Sequence, residues 1–308
     1  MLILREAHYF PPMNSLRNTA KLLLLSELLV LSAQIITAEP EEFLTDPACK
    51  TTLRDIAYLP KGRADKMDIY LSAGAPSDTK ICFLYIHGGG WFSGDKYKPL
   101  FFTKLCVPLL QNGFVVASIN YNMTEKPLWP QNINDCKTAV QFLKTHAKEY
   151  GIDPDCIVVG GTSAGGHLAL MTALSTNNPG VAGCVDFCGV TDIRRIMPQH
   201  KPRRWGNILF NGSPDAVPDD GSDVEFPKVW ETASPVCQVH ADSVPLLLVH
   251  GLSDDIVEPD HAEELYSRAS MVEANCTFFP VENVGHGISL CTPEVMNRVA
   301  EFIQTVSN

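Results

Sequence analysis

Short apolar runs bounded by turn residues alternate with stretches of helical periodicity along most of this chain, and that alternation narrows the folds open to it. Residues 81–86 and 114–119 are near-continuous apolar runs, the pattern of strands buried on both faces. Between them, residues 97–111 read as helical. Residues 132–150 carry Ile133, Cys136, Val140, Leu143 and Ala147 three or four apart, one face of a helix that Gly151 stops. Further strands are expected at 156–159, 183–187, 245–250 and 276–281. Helices are expected from about 164, at 259–271 and at 293–305. Repeated strand–helix units predict an α/β fold with a mostly parallel central sheet and helices on both faces. Residues 192–234 break the rhythm. They are polar, rich in Pro, Asp and Arg, and enclose Trp205 and Trp230, as expected of a short lid inserted over the strand ends.

The chain has 308 residues, 45% of them hydrophobic, enough to build a full core. Its 24 Lys and Arg against 35 Asp and Glu leave a net charge of −11, which repels phosphate backbones and argues against a nucleic-acid partner. At the N-terminus, Arg17 and Lys21 precede an apolar run from Leu22 to Ile36, followed by the small residues Thr37 and Ala38. That order predicts a signal peptide over 1–38, with Met13 as a candidate true start and a single catalytic domain over 39–308. A secreted or periplasmic location is then expected. The run is too short to span a bilayer, so no membrane span is expected. In an oxidising compartment some of the ten Cys are expected to form disulfides. No Cys-x-x-Cys or His-Glu-x-x-His spacing supports a metal site, and the acidic stretch 219–225 lacks calcium-loop spacing. Asn122 and Asn275 open glycosylation sequons; that of Asn211 is weakened by Pro214.

The chemistry-bearing motifs sit where strands end. Gly161-Thr-Ser163-Ala-Gly165 lies between a predicted strand and a predicted helix, where a tight turn lifts a serine hydroxyl toward solvent. Serine needs a base to act as a nucleophile. His87-Gly88-Gly89-Gly90-Trp91 follows another strand and resembles a loop that offers backbone N–H groups to an oxyanion. Gly89, Gly90 and Ala164 are the candidate donors. His87 precedes the serine and is expected to hold the loop. An acid follows the strand at 245–250, Asp254 being preferred to Asp255. His286 lies between two glycines after the next strand. His167, His250 and His261 are rivals, expected to be structural, at a strand end, and at an exposed helix start respectively. Trp91 and Trp205 are candidate walls of a substrate pocket.

Together these motifs resemble the α/β-hydrolase esterases with an H-G-G-G-W loop, similar to bacterial acetylxylan and feruloyl esterases. Matching pieces run from Met67-Asp-Ile-Tyr70 through His87–Asp95, Gly160–Ala169 and Ala233-Ser-Pro235 to His250–Val257 and His286. The resemblance implies an α/β-hydrolase fold with Ser163 as nucleophile, Asp254 as orienting acid and His286 as general base. It implies hydrolysis of small soluble esters, with a small-molecule or carbohydrate ester as substrate and no cofactor. The same groups would serve an amide hydrolase, and a non-catalytic binding protein on the same scaffold is the alternative of another class. The sequence departs at Tyr121-Asn122, where relatives often have Tyr-Arg, so a local ion pair there is in doubt.

Overall fold

The structure, a computed structural model, describes residues 46–74, 81–123, 128–196, 209 and 228–307. Eight strands form one sheet: β1 Cys49–Ile56, β2 Met67–Ser72, β3 Cys82–Ile86, β4 Val115–Ile119, β5 Ile157–Thr162, β6 Gly183–Phe187, β7 Leu246–Gly251 and β8 Cys276–Val281. Their spatial order is β1-β2-β4-β3-β5-β6-β7-β8. From β4 to β8 every pairing is parallel, while β2 runs antiparallel to both β1 and β4. Strands β3 to β7 are buried at every position, the consequence of helices covering both faces.

The helical stretch after β3, here α1, runs through Pro99–Phe101, a π-helical Phe102–Cys106 and Val107–Gln111. Then follow α2 Gln131–Thr145, α3 Ala147–Tyr150, α4 Ala164–Leu174, α5 Lys228–Thr232, α6 Asp260–Met271 and α7 Pro293–Val306. Gly151 ends α3 in the left-handed region, φ 67°, as its place after the apolar stripe predicts. Helix α4 is buried on all sides and packs against β5 and β6. Among the described residues no helix is long and apolar enough to cross a membrane.

The predicted leader over 1–38 lies outside the described residues, as do Trp205, Asn211 and the acidic stretch 219–225. Of the predicted lid, the described parts are a 3₁₀ turn at Ile193–Ile196, Leu209 and the segment from α5 to Ser234. The expected disulfides do not form. All ten cysteines are free thiols, and six of them are buried at separate places in the fold. Asn122 is 1% exposed, which closes its sequon to modification in the folded chain, whereas Asn275 is exposed at the start of β8.

Candidate active site

Ser163 occupies the turn between β5 and α4 with φ 59° and ψ −121°, a backbone region that side chains rarely adopt. Its N–H donates to Phe187 O at 2.9 Å, which ties the turn to the end of β6. Small neighbours are obligatory. A Cβ at Gly165 would strike the carbonyl oxygen of Ile86, and one at Gly88 would lie 2.7 Å from Thr162 O. The glycine-rich loop after β3 therefore lies directly on the serine turn.

That loop folds by left-handed backbone at three successive residues, Gly89 (φ 120°), Gly90 (φ 62°) and Trp91 (φ 65°). It is fastened at both ends. The ring of His87 donates from Nδ1 to Gly88 O at 2.7 Å and stacks on Tyr121, whose hydroxyl donates to His87 O at 3.0 Å. Burial pushes the His87 imidazole down to about 4, so it stays neutral and serves the loop. Beyond the loop, the Lys96 N–H donates to Asn120 Oδ1 at 2.6 Å. The Lys96 ammonium meets Asp55 at 2.9 Å and the buried Asp68 at 3.2 Å. The N–H groups of Gly89, Gly90 and Ala164 donate to no other group among the described residues. Trp91, expected to wall a pocket, instead buries its ring at 2% exposure and donates from Nε1 to His167 Nδ1 at 3.2 Å.

Asp254 follows β7 and His286 follows β8. The imidazole Nδ1 donates to Asp254 Oδ2 at 2.6 Å, which leaves Nε2 as the acceptor of the neutral ring. Asp254 Oδ1 accepts from the N–H groups of Ile256 and Val257, at 2.9 and 3.0 Å. Burial alone would raise this carboxyl. The His250 imidazole beside it, with the hydrogen bonds from His286 and Ile256, outweighs burial and holds it well below the ordinary carboxylate range. Cys188, at the end of β6 with φ 47°, joins the two halves of the site. Its Sγ accepts from the Gly287 N–H at 3.3 Å, and the residue before it, Phe187, accepts the Ser163 N–H at 2.9 Å. Sequence reading missed Cys188; its only signal was its place immediately after a buried strand.

Cys188, Asp254 and His286 offer S, O and N donors within 4.8 Å of one another, the one such group among the described residues. The 2.6 Å between Nδ1 and Oδ2 is a hydrogen bond; two ligands of one tetrahedral zinc sit roughly 3.4 Å apart. The rival histidines are all committed elsewhere. His250 is buried and donates from Nε2 to Val257 O at 2.8 Å, lying 3.4 Å from Asp254 Oδ2. His261, expected at an exposed helix start, is 4% exposed, and its Nδ1 accepts from the Thr191 N–H at 3.3 Å. His167 donates from Nε2 to Ala233 O at 2.7 Å.

A mostly parallel sheet flanked by helices, with a strained serine after β5 and a paired acid and histidine after β7 and β8, defines an α/β-hydrolase. The profile of the family described as BD-FAE matches residues 67–269, and the chain belongs to that family. It is 27% identical over 263 residues to esterase LipQ of Mycobacterium tuberculosis, an alignment covering 81% of this chain and 60% of LipQ. It is 31% identical over 225 residues to the probable carboxylic ester hydrolase LipM of the same organism, covering 68% of this chain and 49% of LipM. The chain thus spans about half to three fifths of these relatives' lengths. Among solved structures, a truncated carbohydrate esterase from gut microbiota superposes with a TM-score of 0.75 at 22% identity. That superposition covers 85% of this chain and 98% of the other.

Proposed function

We propose that this chain is a serine hydrolase of carboxylic esters. One observation carries the reading: His286 is bonded to a carboxylate held ionised, and its neighbour Gly287 is bonded to Cys188, beside the end of β6 to which the strained Ser163 is tied through Phe187 O. Ser163 Oγ attacks the ester carbonyl while His286 Nε2 takes its proton. Asp254 holds the imidazole in the tautomer that leaves Nε2 bare and stabilises the imidazolium that forms. The N–H groups of Gly89, Gly90 and Ala164 face the developing oxyanion, and the positive end of α4 adds to their pull. His286 then returns its proton to the leaving alcohol and activates the water that releases the acyl group.

The substrate class we infer is a small soluble ester, either an acetylated sugar or an aromatic ester of feruloyl type. The family membership supports this, as does a structural neighbour described as a carbohydrate esterase. The leader-like order of residues 13–38 further supports export, which N-terminal sequencing of the mature chain tests.

The mechanism is tested with Ser163→Ala, which should abolish hydrolysis of p-nitrophenyl acetate while the thermal unfolding profile is kept. Full activity in that variant would end it. A panel of acetylated xylan, methyl ferulate, short acyl esters and aminoacyl anilides reads the substrate class. Turnover of the anilides above all esters would assign the amide reading instead.

A further inference from the structure

His167 is joined to three parts of the site at once. Its backbone N–H donates to Ser163 O at 3.0 Å, within the first turn of α4. Its ring Nδ1 lies 3.2 Å from the indole Nε1 of Trp91, in the loop after β3. Its ring Nε2 lies 2.7 Å from Ala233 O, just beyond α5. The ring is wholly buried, stands edge-on to Trp91 at 89° and packs against Trp129.

The chemistry of these partners fixes the protonation of the imidazole. An indole nitrogen only donates, so Nδ1 must be bare to accept from Trp91. A carbonyl oxygen only accepts, so Nε2 must carry hydrogen to bond Ala233. One state out of three satisfies both, the neutral ring protonated at Nε2. The other tautomer and the imidazolium would both point an N–H at the Trp91 N–H. Trp91 is also the one non-glycine in the left-handed run 89–91, where its backbone is strained and its ring is the side chain able to hold the turn down.

We infer that His167 is a positioning residue of the oxyanion loop: through Trp91 it holds the Gly89–Gly90 turn against the helix that carries Ser163. It touches no reacting atom. The inference rests on the ester-hydrolase reading, and it goes further by assigning the loop's rigidity to one side-chain pair. Leu at this place would keep apolar packing but make neither bond; Gln retains one donor and one acceptor.

The test compares wild type with His167→Leu, His167→Gln, Trp91→Phe and the Leu/Phe double variant. The readouts are kcat and KM for p-nitrophenyl acetate and the Ki of an aryl trifluoromethyl ketone, whose adduct with Ser163 places an oxyanion in the hole. A displaced donor loop should lower kcat and weaken the ketone together by about 10- to 100-fold, with KM within about threefold. Trp91→Phe, which keeps an aromatic ring but loses the indole N–H, should show the same pattern. The double variant should be no worse than His167→Leu, because both break one link, and His167→Gln should recover part of the loss. Wild-type-like kcat and Ki in Trp91→Phe would overturn the inference, as would losses that multiply in the double variant. If His167→Leu fails to fold, Trp91→Phe and His167→Gln still decide it. A wild-type protein without esterase activity would instead sink the reading on which the inference rests.

Discussion

At the scale of single residues, the buried carboxylates Asp68, Asp135 and Asp254 each lie against a cationic or imidazole partner, and that gives sharp expectations. Asp135 is 1% exposed on α2 and accepts from the Asn122 N–H at 2.8 Å. The guanidinium of Arg63 reaches the same carboxylate at 2.6 and 3.2 Å. An ion pair beside Asn122 is thus made by Arg63, from another segment of the chain. Arg63→Ala should therefore strand a buried charge and cost about 3 kcal/mol of unfolding free energy in urea melts. Adding Asn122→Arg should return part of it, and a melt unchanged by Arg63→Ala would refute this. At the site itself, Asp254→Asn keeps the shape but favours the wrong imidazole tautomer. It should lower kcat by about 10³- to 10⁴-fold with the fold intact.

Elements show why some of this architecture was legible in the amino-acid order and some was not. Strands β3 to β8 announce themselves because most are buried on both faces and read as uninterrupted apolar runs. The first two strands do not. Strand β1 is a polar edge, half-exposed along its length. Strand β2 is interrupted in sequence by Asp68, whose burial makes sense only once Lys96 is seen beside it. The serine turn and the Asp254–His286 pair were readable because strand ends and glycines mark them. The places of Cys188 and of the His167 ring were not, because each is defined by partners about 70 or more residues away in sequence. The serine turn also makes a prediction about its element. Gly165→Ala would drive a methyl into the Ile86 carbonyl, and backbone cannot retreat as a side chain can. The variant should lose more than about 2 kcal/mol of stability or fail to accumulate, and a soluble Gly165→Ala with a wild-type melt would contradict the packing described.

Across the whole molecule, buried titratable groups set how stability follows pH. Burial pushes His87, His167 and His261 each down to about 4, so below their ordinary range the unfolded chain binds three protons that the folded chain refuses. Asp186 works the other way: burial pushes it up to about 7, so the folded chain keeps a proton that the unfolded chain has lost. Between about pH 6.5 and 4 the balance is 3 − 1 = 2 more protons on the unfolded state, and stability should fall as pH falls. His250, shifted upward, acts above this window, and Asp254, shifted downward, acts below it. Urea midpoints measured at about pH 6.5, 5.5 and 4.5 should decline with a slope near two protons. A flat or rising series would mean that the buried imidazoles are not held neutral.

The ten unpaired thiols carry a practical consequence. A chain with no covalent staples has nothing to shuffle on its way to the native state, so its maturation asks nothing of an oxidase or an isomerase. It should regain full activity after dilution from denaturant in the presence of excess dithiothreitol, and a glutathione couple should add nothing. The chain should then fold as readily under reducing as under oxidising conditions.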